Sequence, residues 1–90
     1  MINKLIINKS NMKKFKLVFG YVGKGGKLTS QSECVISATD NDSAINIQEE
    51  KFIDWMLRNP SKAKRRYCTM YLMENGILMD TVKTKYFDNL

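Results

Sequence analysis

The side chains best suited to chemistry in this 90-residue chain are two cysteines, Cys34 and Cys68. The chain has no histidine, so it lacks the usual proton-transfer group near neutral pH. Two thiolates without imidazole and without a C-x-x-C spacing do not make an ordinary closed zinc site. No cysteine–acid or serine–lysine pair stands out by its spacing as a nucleophilic centre. We therefore predict a protein that is not an enzyme, with no catalytic residue, no metal site and no cofactor.

A glycine-rich segment, Gly23 to Lys27, is the one stretch that suggests phosphate binding. A P-loop needs G-x-x-x-x-G-K followed by serine or threonine, placed between a strand and a helix. Here Lys27 is followed by Leu28, and the next residues alternate as in a strand, so no helix N-terminus would face a phosphate. We predict the mobile tip of a hairpin instead.

Charge is segregated along the chain behind a formal net charge of +6. Residues 1–27 contain seven lysines and no acid, residues 28–57 contain six acids and one lysine, and residues 58–66 contain five cations. If the two basic segments converge in space, they would bind a nucleic-acid backbone in a sequence-independent, salt-sensitive way. The candidate contacts are Lys24, Lys27, Lys62, Lys64, Arg65 and Arg66.

Two alternating runs predict a first hairpin. Between Lys14 and Val22 one face holds Phe15, Leu17, Phe19 and Tyr21, and between Ser32 and Thr39 one face holds Cys34, Ile36 and Ala38. A period of two with aromatic enrichment is typical of half-buried strands. Residues 1–11 form either a short strand or a loose extension.

A single amphipathic helix follows, opened by Thr39 or Asp40 as the N-cap. It ends before Asn59-Pro60, because proline disfavours helical geometry in the residue before it. At 100° per residue, its apolar stripe consists of Ala44, Ile45, Gln48, Phe52, Trp55 and Met56.

A second hairpin joins residues 67–73 to residues 77–84 through Asn75-Gly76, a strong signal for a two-residue turn. Such a turn sets Glu74 opposite Ile77, Leu72 opposite Met79 and Met70 opposite Thr81. One face then carries Cys68, Met70, Leu72, Ile77 and Met79. The other carries Tyr67, Tyr71, Met73, Leu78 and Val82. A single helix can cover only one of these two apolar faces, and the pattern alone leaves open which one.

The element order ββαββ predicts one α+β domain over residues 1–90, with a small antiparallel sheet and one helix packed on one face. An additional N-terminal strand is compatible with this order. We find no apolar run long enough for a signal peptide or a membrane span, so we expect a cytoplasmic protein without a membrane partner.

The apolar second face favours a non-enzymatic protein-binding module, because contiguous exposed apolar patches usually mark interfaces. The equal alternative is that the N-terminal segment folds across this face and buries it. The predicted partner contacts are Tyr67, Tyr71, Met73, Leu78, Val82, Arg65 and Arg66. The small size and the lysine, asparagine and isoleucine bias resemble those of phage and plasmid accessory proteins. That resemblance is one of composition, and it implies an inhibitor that covers a host protein. A nucleic-acid-backbone binder is the alternative, and a homodimeric structural protein is a second alternative.

Overall fold

The elements of the domain follow the predicted order ββαββ in the computed structural model, which describes residues 12–60 and 65–88. The strands are β1 (Lys13–Val22), β2 (Leu28–Ala38), β3 (Arg65–Glu74) and β4 (Ile77–Asp88), and the helix is α1 (Asn41–Arg58). The strands form one antiparallel sheet in the order β2-β1-β3-β4, and α1 packs on one of its faces. The predicted α+β class is therefore confirmed. The proposed extra strand within residues 1–11 lies outside the described part of the chain.

The first hairpin is closed by a 3-10 turn over Lys24–Gly26, in which Gly25 and Gly26 have φ angles of +72° and +79°. Glycine adopts this left-handed conformation without the steric cost that a Cβ would bring. The chain then enters β2 directly, so no helix begins after the glycine-rich segment. β2 starts at Leu28, four residues before the predicted Ser32. The first residues of β2 are exposed and carry no apolar alternation, so the sequence pattern does not reveal them.

The bounds of α1 follow from its capping residues. Asp40 is the N-cap, and its Oδ1 accepts a hydrogen bond of 2.8 Å from the backbone N–H of Ser43. This bond holds the pKa of the Asp40 carboxyl below its usual value. At the other end, the backbone N–H and the side-chain Nδ2 of Asn59 both donate to the Trp55 carbonyl, at 3.0 and 2.9 Å. The helix ends at Arg58, directly before Asn59-Pro60, as predicted.

The core lies between α1 and the sheet face that carries Phe15, Leu17 and Phe19. Trp55 stacks on Phe19, with 5.5 Å between the ring centroids and 19° between the ring planes. Around this pair, Phe52 and Tyr21 complete an aromatic cluster, and burying each ring contributes roughly 1.5–3 kcal/mol. The predicted apolar stripe of the helix is confirmed, since five of its six members are buried in the core or packed against it. The sixth, Gln48, is fully buried as well.

The second hairpin turns at Asn75 and Gly76, whose φ angles of +53° and +79° are those of the predicted two-residue turn. Glu74 pairs with Ile77 as predicted. Two bulges in β4 then shift the register, so that Leu72 pairs with Asp80 rather than Met79, and Met70 pairs with Lys83 rather than Thr81. The predicted register is therefore wrong beyond the turn, because each bulge adds one residue to β4 without a partner in β3.

β4 also continues to Asp88, four residues beyond the predicted end at Thr84. Favourable cross-strand pairs extend it. Tyr86 pairs with Tyr67, and Asp88 pairs with Arg65 through an ion pair of 2.9 Å. The sequence pattern does not predict this extension, because lysine and threonine alternate around Thr84 without an apolar residue.

Both cysteines are free thiols in the helix-facing layer of the sheet. Cys34 pairs with Leu17 on one side of β1, and Cys68 pairs with Phe19 on its other side. Two interstrand spacings therefore separate them, about 10 Å, which exceeds the span of a disulfide. Burial raises the pKa of the Cys68 thiol to about 12, so this thiol is protonated at neutral pH.

Candidate docking face of the sheet

The sheet face opposite α1 carries apolar side chains from all four strands, interspersed with polar ones. Alternate residues of a strand point to opposite faces, so core residues Leu17 and Met70 place their neighbours on this second face. The register sets Val35, Lys16, Tyr71 and Thr81 side by side in one row. We call the apolar members of this side the docking face, and they are Val18, Val35, Tyr71, Met73 and Leu78.

The structure thus decides which side of the second hairpin is buried. Cys68 and Met70 lie in the core under α1, and Leu72 packs against it. The predicted contacts Tyr71, Met73 and Leu78 lie on the opposite side, and Leu78 is exposed while Tyr71 and Met73 are half-buried. These three residues are brought together as the sequence predicts.

Val82 was predicted on the same face, and that placement is wrong. It has no partner in β3, because it is the extra residue of a bulge between Thr81 and Lys83. It packs against the core on the helix side. A bulge moves one side chain out of the alternation, so Val82 is removed from the docking face.

Tyr67 lies on the docking-face side but is only 4% exposed. Its partner across β1 is Gly20, and the Tyr67 ring lies against that position. An aromatic ring over a cross-strand glycine protects the backbone that the glycine leaves bare. Burial raises the pKa of the Tyr67 hydroxyl, and the neighbouring Tyr71 adds to the shift. Tyr67 therefore packs beneath the docking face and exposes little area to a partner, unlike the predicted surface contact.

The two arginines at the start of β3 differ in their surroundings. Arg65 is exposed, pairs with Asp88 and lies 4.4 Å from the centre of the Tyr86 ring. Arg66 is 7% exposed, and its Nη1 donates to the carbonyls of Met56 and Asn59 at 3.3 and 3.4 Å. A cation at this place offsets the negative end of the helix dipole. Arg66 thus has a structural role, and its prediction as a surface contact is wrong.

Replacing Arg66 with alanine is expected to lower the free energy of unfolding by about 2 kcal/mol, since both carbonyls at the end of α1 lose their donor. Arg65→Ala is the matched control and should cost less than about 1 kcal/mol, because its partners are exposed. Urea unfolding followed through Trp55, the only tryptophan, measures both. Equal losses for the two variants would contradict the assignment.

Ion pairs within the sheet neutralise much of the charge near the docking face. Lys16 Nζ lies 2.9 Å from Glu33 Oε1, between β1 and β2. At the far end of the face Arg65 is paired with Asp88. Of the described cations on this side, Lys14 alone has no acidic partner. The docking face is therefore nearly neutral, and its apolar side chains are interspersed with polar ones such as Lys16 and Thr81.

The predicted nucleic-acid contacts that the structure describes lie at one end of the sheet. Tyr21 pairs with Arg66, so the turn that holds Lys24 and Lys27 lies at the same end as the start of β3. Both lysines are exposed, as is Arg65, whereas Arg66 is buried. Lys62 and Lys64 lie outside the described residues. This end of the sheet is basic, and the docking face beside it is not.

Comparison with known proteins gives no relative. No protein-family model, curated protein or solved structure matches this chain.

Two members of the docking face, Val18 and Val35, were not among the predicted contacts. Both alternate with core residues, Val18 with Leu17 and Phe19, and Val35 with Cys34 and Ile36. That alternation predicts that both face away from the core of the first hairpin, but it does not show that β1 and β2 share a sheet with β3.

Within residues 12–60 and 65–88, no three cysteine or acidic side chains lie together as metal ligands would. The helix of this described part is not long and apolar enough to cross a bilayer.

Proposed function

We propose that this chain is a non-enzymatic protein-binding module that uses the docking face to cover part of a partner protein. The observation that carries the proposal is that all four strands contribute apolar side chains to the face opposite α1, with Met73 and Leu78 directly paired on it. The members are Val18, Val35, Tyr71, Met73 and Leu78. A surface of this kind gains free energy when a partner removes it from water, at roughly 25 cal/mol per Å² of apolar area.

The electrostatics of the face favour a protein over a nucleic acid as the partner. Binding to a phosphate backbone requires unpaired lysines or arginines along the contact. Here Lys16 and Arg65 are held by Glu33 and Asp88. Tyrosine and methionine are enriched in protein interfaces, and Tyr71 and Met73 lie at the centre of this one.

The mode of action that we propose is steric. The docking face draws its side chains from all four strands, and a cavity of about 870 Å³ that Val35 and Met73 help to line opens at its edge. A surface spread over four strands would bind by covering part of a partner protein. Inhibition of the covered protein follows if that surface is functional. We place this interaction in the cytoplasm, since two free thiols are typical of a reducing compartment.

A pair of substitutions tests the proposal. Leu78→Arg puts a charge on the docking face, and Leu57→Arg puts the same charge on α1, where Leu57 is 77% exposed and far from the core. The tagged wild-type chain and both variants are used to capture partners from the native cells, with and without nuclease. We expect a nuclease-resistant protein partner that Leu57→Arg retains and that Leu78→Arg loses at least ten-fold.

Two outcomes would overturn the proposal. One is a partner retained equally by Leu78→Arg and by the wild type. The other is a captured partner that disappears when nuclease is added. Trp55 fluorescence of each variant checks that the fold is retained, and a homodimer through this face would appear as a doubled mass in sedimentation that Leu78→Arg abolishes.

A second candidate function, binding to a nucleic-acid backbone, is favoured by one observation. Lys24, Lys27 and Arg65 meet at one end of the sheet. For this function we expect Lys24→Glu combined with Lys27→Glu to weaken binding of DNA or RNA at least ten-fold. The affinity of the wild type should also fall steeply with salt. Absence of any shifted complex at about 50 mM salt would exclude this candidate.

A further inference from the structure

The second surface with binding potential is the outer edge of β4. In the described sheet β4 pairs only with β3, so alternate backbone N–H and C=O groups of β4 point away from the sheet. Both bulges lie before Lys83, and the stretch from Lys83 to Asp88 pairs with β3 without interruption. This stretch contains no proline. It is a regular edge of six residues, long enough to pair with an added strand.

A groove runs beside this edge, between β4 and α1. Its apolar wall is formed by Phe52, Ile53, Met56 and Phe87, and its volume is about 340 Å³. Ile53 and Phe87 are each about half exposed, at 49% and 46%, and they line this groove together with the core residue Phe52. A strand added to β4 would direct every second side chain to the α1 side of the sheet, where this groove lies.

The charges along this edge determine which side chains an added strand would carry. Lys83, Lys85 and Phe87 alternate, so all three project on the α1 side. Lys85 is held only loosely, with 3.8 Å between its Nζ and Glu49 Oε1. Lys83 forms no ion pair with any described residue. Residues opposite the two lysines in an added strand would therefore gain from negative charge, and the residue opposite Phe87 from an apolar side chain.

We propose that the Lys83–Asp88 edge of β4 binds an extended peptide segment with two acidic side chains and one apolar side chain at alternate positions. The acids lie opposite Lys83 and Lys85, and the apolar side chain enters the groove between Phe87 and Ile53. Backbone hydrogen bonds along the edge give affinity, and the alternating side chains give specificity. Gln48 fixes the position of this edge relative to α1, because its Nε2 donates to the Lys83 carbonyl at 3.1 Å at the start of the stretch. This surface is separate from the docking face and does not depend on the proposed function.

The probes are short blocked peptides with the pattern glutamate–threonine–glutamate–threonine–leucine, made in both chain directions because an added strand can run parallel or antiparallel. A lysine-for-glutamate version and a version with methylated backbone nitrogens are the controls. Binding is followed by amide NMR shifts of the isotope-labelled full chain. We expect shifts concentrated on residues 83–88 and around Ile53, with at least ten-fold weaker binding of both control peptides.

Variants of the protein complete the test. Ile53→Glu should weaken the acidic peptide at least ten-fold, while Leu57→Glu on the same helix should leave its affinity unchanged. Leu78→Arg should also leave it unchanged, which separates this proposal from the docking face. The proposal is overturned if neither direction of the peptide shifts residues 83–88 at millimolar concentration. It is also overturned if the lysine peptide binds equally well, or if the shifts fall on the docking face.

Discussion

The Gly20→Ala variant is expected to lose about 3 kcal/mol or more of its free energy of unfolding, a large fraction of the stability of a domain of this size. A Cβ on Gly20 would lie 2.0 Å from the carbonyl oxygen of Thr29 and 2.9 Å from the Tyr67 ring. The first contact is with backbone, so a side-chain rotation cannot relieve it. The pairing of β1 with β2 shifts at this residue, and the close approach belongs to that irregularity.

The matched control is Gly23→Ala, in the turn that follows the same strand. A Cβ there would meet only the Lys27 carbonyl oxygen, at an ordinary 3.5 Å, and Gly23 has an extended backbone with φ near −91°. We expect no loss, or a small gain from the reduced entropy of the unfolded chain. Urea unfolding followed through Trp55 measures both variants. Similar stabilities for the two would show that β2 moves aside at little cost.

Replacing Gln48 with glutamate is expected to cost about 3 kcal/mol or more near neutral pH. Gln48 is fully buried, and its Nε2 donates to the carbonyls of Cys68 and Lys83 at 2.9 and 3.1 Å. A carboxylate would turn these two donated bonds into repulsion between oxygens, at a site shielded from water. The Oε1 atom of Gln48 accepts no hydrogen bond from a described residue, so no donor is placed to stabilise a negative charge there.

The cost of Gln48→Glu should depend on pH, and its sign follows from linkage. Burial raises the pKa of the new carboxyl above the value of about 4.3 in the unfolded chain. The variant therefore keeps most of its stability below about pH 4 and loses it as the pH rises through the folded-state pKa. Gln48→Met is the control, because it removes the same hydrogen bonds without adding a charge. A constant difference between the two variants from pH 4 to 7 would contradict this account.

These two variants also inform the proposals. Gly20 lies beneath Tyr67 on the side of the docking face, and Gln48 holds the start of the β4 edge to the helix. Both act on the framework beneath a surface rather than on the surface itself. Loss of binding in either variant therefore has to be compared with its loss of stability. The exposed substitutions at Leu78 and Ile53 address binding directly.

Local patterns were sufficient to predict the elements of this protein. The turn at Asn75-Gly76, the N-cap at Asp40 and the end of α1 before Asn59-Pro60 all depend on interactions within a few residues, which the sequence displays directly. The same holds for the alternation of β1, whose residues Phe15, Leu17 and Phe19 enter the core as predicted.

The site was predicted only in part, because its composition depends on register and on long-range contacts. Tyr71, Met73 and Leu78 share a face through simple alternation, and they lie where they were predicted. Val82 does not lie on this face, since a bulge interrupts the alternation at that residue. No residue type in β4 indicates a bulge. Val18 and Val35 join the face only once β1 and β2 are known to lie in the same sheet as β3.

The amino-acid sequence alone determined that this chain forms two hairpins and one amphipathic helix, because turn, cap and alternation are local properties of the backbone. Only the tertiary structure decided that β1 pairs with β3, that Arg66 turns inward to the end of α1, and that Tyr67 is buried over Gly20. Each of these contacts joins residues that are distant in the chain or on different elements. They form because the packed sheet and helix bring complementary shapes and charges together, which no local pattern encodes.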